Sequence, residues 1–206
     1  MKINCIKAGK RFNRDWIFRN FTYNFINEGH YAITGPNGSG KSTLLQVIAG
    51  AIVCSEGTIS YKSDTVPQLT SDEVFKSIAI AAPYLEVIEE MTFVELLRFH
   101  QIFKPFLPGV KVNDIVTIVG LQQAAHKQIR YYSSGMKQRV KLAQAIFSNT
   151  PCLLLDEPCT NLDDTGIKLY HQLIADYCKH RLVIVSSNDL QEYNFCDEEV
   201  SILEFK

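Results

Sequence analysis

Gly35-Pro36-Asn37-Gly38-Ser39-Gly40-Lys41-Ser42-Thr43 decides how this chain is read. The stretch fits G-x-x-x-x-G-K-[ST], a loop built to cradle phosphate. An apolar run, Tyr31-Ala32-Ile33-Thr34, precedes it, and a helix-forming stretch, Leu44-Leu45-Gln46-Val47-Ile48-Ala49, follows. Strand, loop and helix therefore come in the order the mechanism requires. Glycines at 35, 38 and 40 let the backbone turn its N–H groups inward around an anion. A helix beginning near Ser42 aims its positive dipole end at the same point. In such a loop Lys41 reaches the β and γ phosphates of a nucleotide, and the Ser42 hydroxyl is a ligand for Mg²⁺.

Composition narrows the setting. The chain has 206 residues, of which 46% are hydrophobic and 21% charged, enough for one globular domain with a full core and a small insert. Its formal net charge of −1 lacks the basic surplus of a nucleic-acid binder, so none is expected as a partner. Met1-Lys2-Ile3-Asn4-Cys5 does not read as a signal peptide. No apolar run approaches the ~18–20 residues of a membrane span, so any membrane role is expected to come through a partner. The cysteines, at 5, 54, 152, 159, 178 and 196, form no C-x-x-C pair and read as reduced thiols of a cytosolic protein.

Hydrophobic patterning predicts a strand-rich piece over residues 1–30, a strand over Gly57–Tyr61, loop over 62–75, and a buried strand over Ile78–Ala82 that stops at Pro83. Thr92 and Glu95 form a capping-box pair opening a helix. Val112–Val119 reads as a second helix ended by Gly120, and Ser133 or Ser134 starts a third. Residues 84–149 thus read as a helical insert, with 1–83 and 150–206 forming an α/β nucleotide-binding core around a mainly parallel sheet. Cys152–Leu155, Leu182–Val185 and Val200–Leu203 are its later strands, and 164–178 a helix. Unbroken apolar runs of this kind suit parallel strands buried on both faces.

Leu153-Leu154-Leu155-Asp156-Glu157-Pro158 supplies a second half of the site. An apolar strand ending in aspartate places a carboxylate to hold Mg²⁺. Glu157, the next residue, is placed to orient or deprotonate an attacking water.

Tyr132-Ser133-Ser134-Gly135-Met136-Lys137-Gln138-Arg139 lies just ahead of that strand. Here the chain resembles the ATP-binding cassette (ABC) ATPase family, whose signature is Leu-Ser-Gly-Gly-Gln followed by x-Gln-Arg. Serine and the second glycine are kept, at Ser133 and Gly135. Thr160-Asn161-Leu162-Asp163 stands where the family has Ser-Ala-Leu-Asp. The resemblance implies a RecA-like P-loop core, ATP and Mg²⁺ as cofactors, and ATP hydrolysis with Glu157, Lys41 and Asn188 as catalytic residues. It further implies a head-to-tail dimer with a second ABC ATPase copy, identical or paralogous. In that dimer Ser133 and Gly135 close on ATP held by the other copy's loop. An integral-membrane permease is the implied further partner, which would place the chain on the inner face of the cell membrane without inserting into it.

Some family positions are altered. Tyr84 stands where a glutamine ligand of the Mg²⁺ site is expected, with Glu86 as a partial substitute. Asn188 replaces a histidine that contacts the γ phosphate. It donates a hydrogen bond but carries neither charge nor a transferable proton, which predicts slow turnover. Phe12 is the candidate for stacking on adenine and Trp16 the reserve. Two other readings stay open on sequence: an ABC ATPase not engaged in transport, and a clamp that binds ATP and scarcely hydrolyses it.

Overall fold

A computed structural model describes residues 1–63 and 65–206. The chain divides into two compact units: residues 1–80, 151–157 and 180–206 form one, and residues 81–150 and 158–179 the other.

The first unit holds two sheets. Strands β1 (Lys2–Phe12), β2 (Asp15–Phe25) and β4 (Glu56–Lys62) form an antiparallel sheet in the order β2-β1-β4. The second sheet has the order β5-β6-β7-β3-β8, with β3 (His30–Thr34), β5 (Ile78–Ala81), β6 (Cys152–Asp156), β7 (Leu182–Ser186) and β8 (Glu198–Ser201). β3 runs parallel to β7 and to β8, and β6 parallel to β7. Every residue of β6 and β7 is buried, as their unbroken apolar sequences require. Helix α1 (Lys41–Ile48) packs Leu44, Leu45 and Ile48 into the same core. Phe18, Phe21 and Phe25 of β2 are fully buried, each stabilising by roughly 1.5–3 kcal/mol through lost apolar exposure. Phe21 stacks on Phe25 at 6.4 Å, and Phe25 meets Tyr31 of β3 edge-on at 5.1 Å, which knits the two sheets together.

Part of the 62–75 stretch read as loop is a helix, α2 (Ser71–Ser77), with Asp64 outside the described residues. Thr70 caps it and Glu73 returns a bond to the Thr70 N–H at 2.7 Å. Only Val74 of α2 is buried, so no apolar periodicity marked it. The last strand begins earlier than expected, and Ile202–Phe205 is a turn of 3₁₀ helix instead.

The second unit contains α3 (Phe93–Phe103), α4 (Val112–Ile118), α5 (Ser134–Phe147) and α6 (Asp164–Tyr177). Thr92 and Glu95 form the expected capping box. Phe93, Leu97, Ile115, Val140, Phe147 and Tyr170 are among its buried side chains. This unit is larger than the 84–149 insert read from sequence, because residues 158–179, assigned to the core by strand–helix alternation, group with it. The reason is packing: α6 lies against α5, and the Tyr177 ring meets Phe147 edge-on at 4.8 Å.

Candidate functional site

The phosphate loop is built from behind. Gly35, Gly38 and Gly40 all have positive φ, at 148°, 75° and 97°. A Cβ on Gly40 would lie 2.4 Å from Ile17 Cγ2, so β2 has left no room for one. Ser39 N–H donates to the Pro36 carbonyl at 3.1 Å and closes the turn, while Pro36, Asn37 and Gly38 stay exposed. Gly40 caps α1 without any side-chain bond, and no acidic residue occupies the first turn. The helix N–H groups are thus left for an anion. Lys41 is buried, and its ammonium donates to the Gly35 and Pro36 carbonyls at 2.9 and 3.3 Å. Ser42 and Thr43 follow, half-buried, on the first turn of α1.

Asp156 closes β6 with 1% of its surface exposed. Burial raises its pKa, against the lowering influence of the Ser42 and Ser186 hydroxyls and of Lys41. These groups therefore surround one carboxylate. Among the described residues its Oδ1 nonetheless makes no hydrogen bond, and neither does the Ser186 hydroxyl. A buried carboxylate oxygen left unpaired beside a serine hydroxyl is a donor set that fits a hard divalent cation.

Glu157 follows with φ of 43°, a left-handed conformation rarely taken by glutamate, and its N–H donates to the Ser186 carbonyl at 2.9 Å. Backbone strain of this kind is held only where the surroundings enforce it, and it concentrates at functional positions. Asn188 is exposed just beyond β7. The chain beside it is fixed by the buried Ser187 hydroxyl, which accepts from Asp189 N–H at 2.9 Å and donates to the Glu192 carboxylate. Ser186, Ser187 and Glu192 escaped the sequence reading because a serine at a strand end carries no pattern of its own.

Phe12 is 48% exposed at the end of β1, with Lys10 Nζ 5.0 Å from its ring centre. Ile17 faces the phosphate loop at Gly40, so its strand neighbour Trp16 points off the opposite face. There the Arg11 and Arg19 guanidiniums ride over the indole at 5.6 and 4.5 Å. Phe12 thus carries one cation on a half-exposed ring, whereas the Trp16 indole carries two.

In the second unit Ser133 is the N-cap of α5, accepting from Met136 N–H at 3.3 Å. Gly135 has no room for a side chain, since a Cβ there would sit 2.9 Å from the Asn161 carbonyl oxygen. Gln138 donates to the Pro158 carbonyl at 2.7 Å, tying α5 to the same segment. Asp163 caps α6 through Gly166 N–H at 2.8 Å. A cavity of about 760 Å³ opens at the start of α5, lined among others by Lys127, Ser133, Gly135, Met136 and Arg139. Tyr84 is 43% exposed in this unit, and Glu86 is exposed with it.

Known proteins resemble this chain in sequence and in fold. Residues 18–160 match the ABC transporter family. The chain is 29% identical to the ABC transporter ATP-binding protein YybJ of Bacillus subtilis, over 95% of this chain and 89% of that one. It is 31% identical to the cytochrome c biogenesis ATP-binding export protein CcmA of Aliivibrio fischeri, over 84% and 88%. Two longer Bacillus subtilis relatives, YxlF and YhcH, are spanned over 59% of their length. The cassette MJ0796, solved as a dimer, superposes with a TM-score of 0.80 at 22% identity, covering 97% of this chain and 94% of that one, a likeness of fold. The match runs through the phosphate loop, the Asp156 strand and the α5 signature. This chain therefore belongs to the ABC transporter family as one of its ATP-binding cassettes.

Proposed function

We propose that the chain hydrolyses MgATP as the motor of a membrane transporter, in a head-to-tail pair of cassettes. The observation that carries this reading is the Asp156 carboxylate, buried with an unpaired oxygen among Ser42, Ser186 and Lys41. The phosphate loop, residues 35–43, holds the triphosphate through backbone N–H groups, and Lys41 neutralises charge between its β and γ phosphates. Phe12 carries the adenine face. Ser42 and Asp156 would hold Mg²⁺, with Tyr84 at the position of a third ligand. That ion, when bound, supplies charge neutralisation as the phosphoryl group departs. Glu157 accepts the proton of the attacking water, and Asn188 donates to the γ phosphate as charge builds there. Lacking a charge, Asn188 stabilises that state less than an imidazolium would, so turnover is slow.

Ser133 and Gly135, at the N-terminus of α5, contact the triphosphate of the second copy, so each nucleotide is shared by two chains. The dimeric MJ0796 fold supports this pairing. Among the described residues no helix is long and apolar enough to cross a membrane. The transporter context of its relatives supports an integral-membrane permease as the partner that the motor drives, with the cassette held through it on the inner face of the cell membrane.

Glu157→Gln tests the reading. The variant should bind ATP, run as a dimer in its presence, and turn over on the order of 10²-fold more slowly. Hydrolysis at the wild-type rate would remove Glu157 from its role. A chain that stays monomeric when loaded with ATP and blocked in cleavage would remove the shared site.

A further inference from the structure

Lys206 lies far in sequence from the phosphate loop, yet its ammonium donates to the Ser39 carbonyl at 2.5 Å and to the Ile17 carbonyl at 2.8 Å. Its segment also backs the loop with apolar atoms. Ile202 is fully buried, and its Cγ2 stands 2.8 Å from where a Cβ on Gly35 would be. Its Cδ1 stands 3.6 Å from that position on Gly40. The Phe205 ring packs edge-on against Phe21 at 4.8 Å, anchoring this segment to β2.

The consequence follows from peptide geometry. In a trans peptide the C=O and the next N–H point in opposite directions, and no cis bond occurs among the described residues. A Ser39 carbonyl drawn outward to Lys206 therefore turns the Gly40 N–H inward, toward the anion cradle. Gly40 is free to obey because its φ of 97° costs glycine nothing. The second bond, to Ile17, fixes the ammonium on the strand against which Gly40 already packs.

We infer that Lys206 is a positioning residue for the phosphate loop, one that sets the Ser39–Gly40 peptide plane for nucleotide phosphate. The inference rests on the loop being the phosphate site. Isothermal titration of the full chain with ADP and with adenosine separates the two claims. Lys206→Met should bind ADP roughly fivefold more weakly, the scale of one lost charge-assisted bond to a partly solvated carbonyl. Adenosine, which has no phosphate, should bind with unaltered affinity, and Lys206→Arg should recover most of the loss for ADP. If wild type prefers ADP to adenosine and Lys206→Met binds both as wild type does, the positioning role is overturned. An equal loss for both ligands overturns it too, because a general loosening of the fold would then explain the change. A wild type with no preference for ADP would overturn the phosphate reading and this inference together.

Discussion

The two helix ends proposed to meet phosphate are built in opposite ways. At α1 the chemical groups are buried and already assembled: Ser39, Lys41 and Asp156 are each at most 6% exposed, and the loop is braced by Ile17, Ile202 and Lys206. At α5 the cap is in place, yet Ser133 and Ser134 are exposed at the rim of a cavity of about 760 Å³. A pre-formed site can hold phosphate within a single chain, because little ordering remains to oppose binding. An open helix end facing solvent gains little from an anion until a second surface excludes water, since charge interactions weaken in high dielectric. On the proposed reading, the difference makes one end a finished half-site and the other a half-site that needs a partner.

The strongest way to break that comparison is to damage each end in turn. Lys41→Ala should weaken ADP binding to the single chain by about thirtyfold, the loss of a charged donor to phosphate. Turnover should fall on the order of 10²-fold. Ser133→Ala should leave ADP binding to the single chain unaltered while turnover falls roughly tenfold or more. Titration of ADP beside steady-state ATPase rates reads both. Equal loss of ADP affinity in the two variants would erase the distinction.

The helical unit should also be open to weakening without harm to the phosphate loop. His100 is the sharpest handle. Burial, with Lys104 nearby, pushes its pKa down to about 4. The bonding explains why the neutral ring is kept. Ser148 Oγ donates to the Gln144 carbonyl at 2.5 Å and so receives His100 Nε2–H at 2.8 Å. That leaves Nδ1 to accept from the Gln144 amide at 3.4 Å. A proton on Nδ1 would face that donor. Between the ordinary value of 6.5 and about 4 the unfolded ring takes up a proton that the folded ring refuses, so stability falls as pH drops through this window. The loss is on the order of a few kcal/mol at most. Chemical denaturation at neutral and acidic pH should show His100→Leu losing less stability on acidification than wild type. An identical pH slope in the two proteins would deny His100 this role.

Gly135→Ala probes the α5 end more gently. The added methyl meets the Asn161 carbonyl, a clash worth about 1–3 kcal/mol. Helix propensity returns up to about 1 kcal/mol of it. The melting temperature should therefore fall by a few degrees and turnover with it, while ADP affinity holds. A melting temperature at or above that of wild type would show that the segment around Asn161 yields at no cost.

Sequence alone carried the fold where periodicity and burial agree. β6 and β7 are unbroken apolar runs, α3 opens with a capping box, and the phosphate loop announces itself by spacing. It could not show the division of the chain, because the face that α6 presents to α5 looks like any amphipathic stripe. Nor could it show what touches what: the left-handed Glu157 depends on one dihedral, and the reach of Lys206 to Ser39 joins residues distant in the chain. Candidate roles were proposed from motif, and geometry was visible only by contact.

The smallest effect sharpens the comparison most finely, because the two units carry the same local device. Thr70 with Glu73 and Thr92 with Glu95 are both complete capping boxes. The helices behind them differ. α3 commits Phe93, Val94, Leu96 and Leu97 to the helical core, whereas α2 buries Val74 alone. A cap stabilises the whole protein only when its helix must melt for the protein to unfold. Thr92→Ala should therefore cost about 1 kcal/mol of global stability. Thr70→Ala should fray α2 and leave the global transition within a few tenths of a kcal/mol of wild type, seen instead as faster amide exchange across 71–77. Equal global losses would mean that α2, despite its single buried side chain, unfolds only with the rest of the first unit.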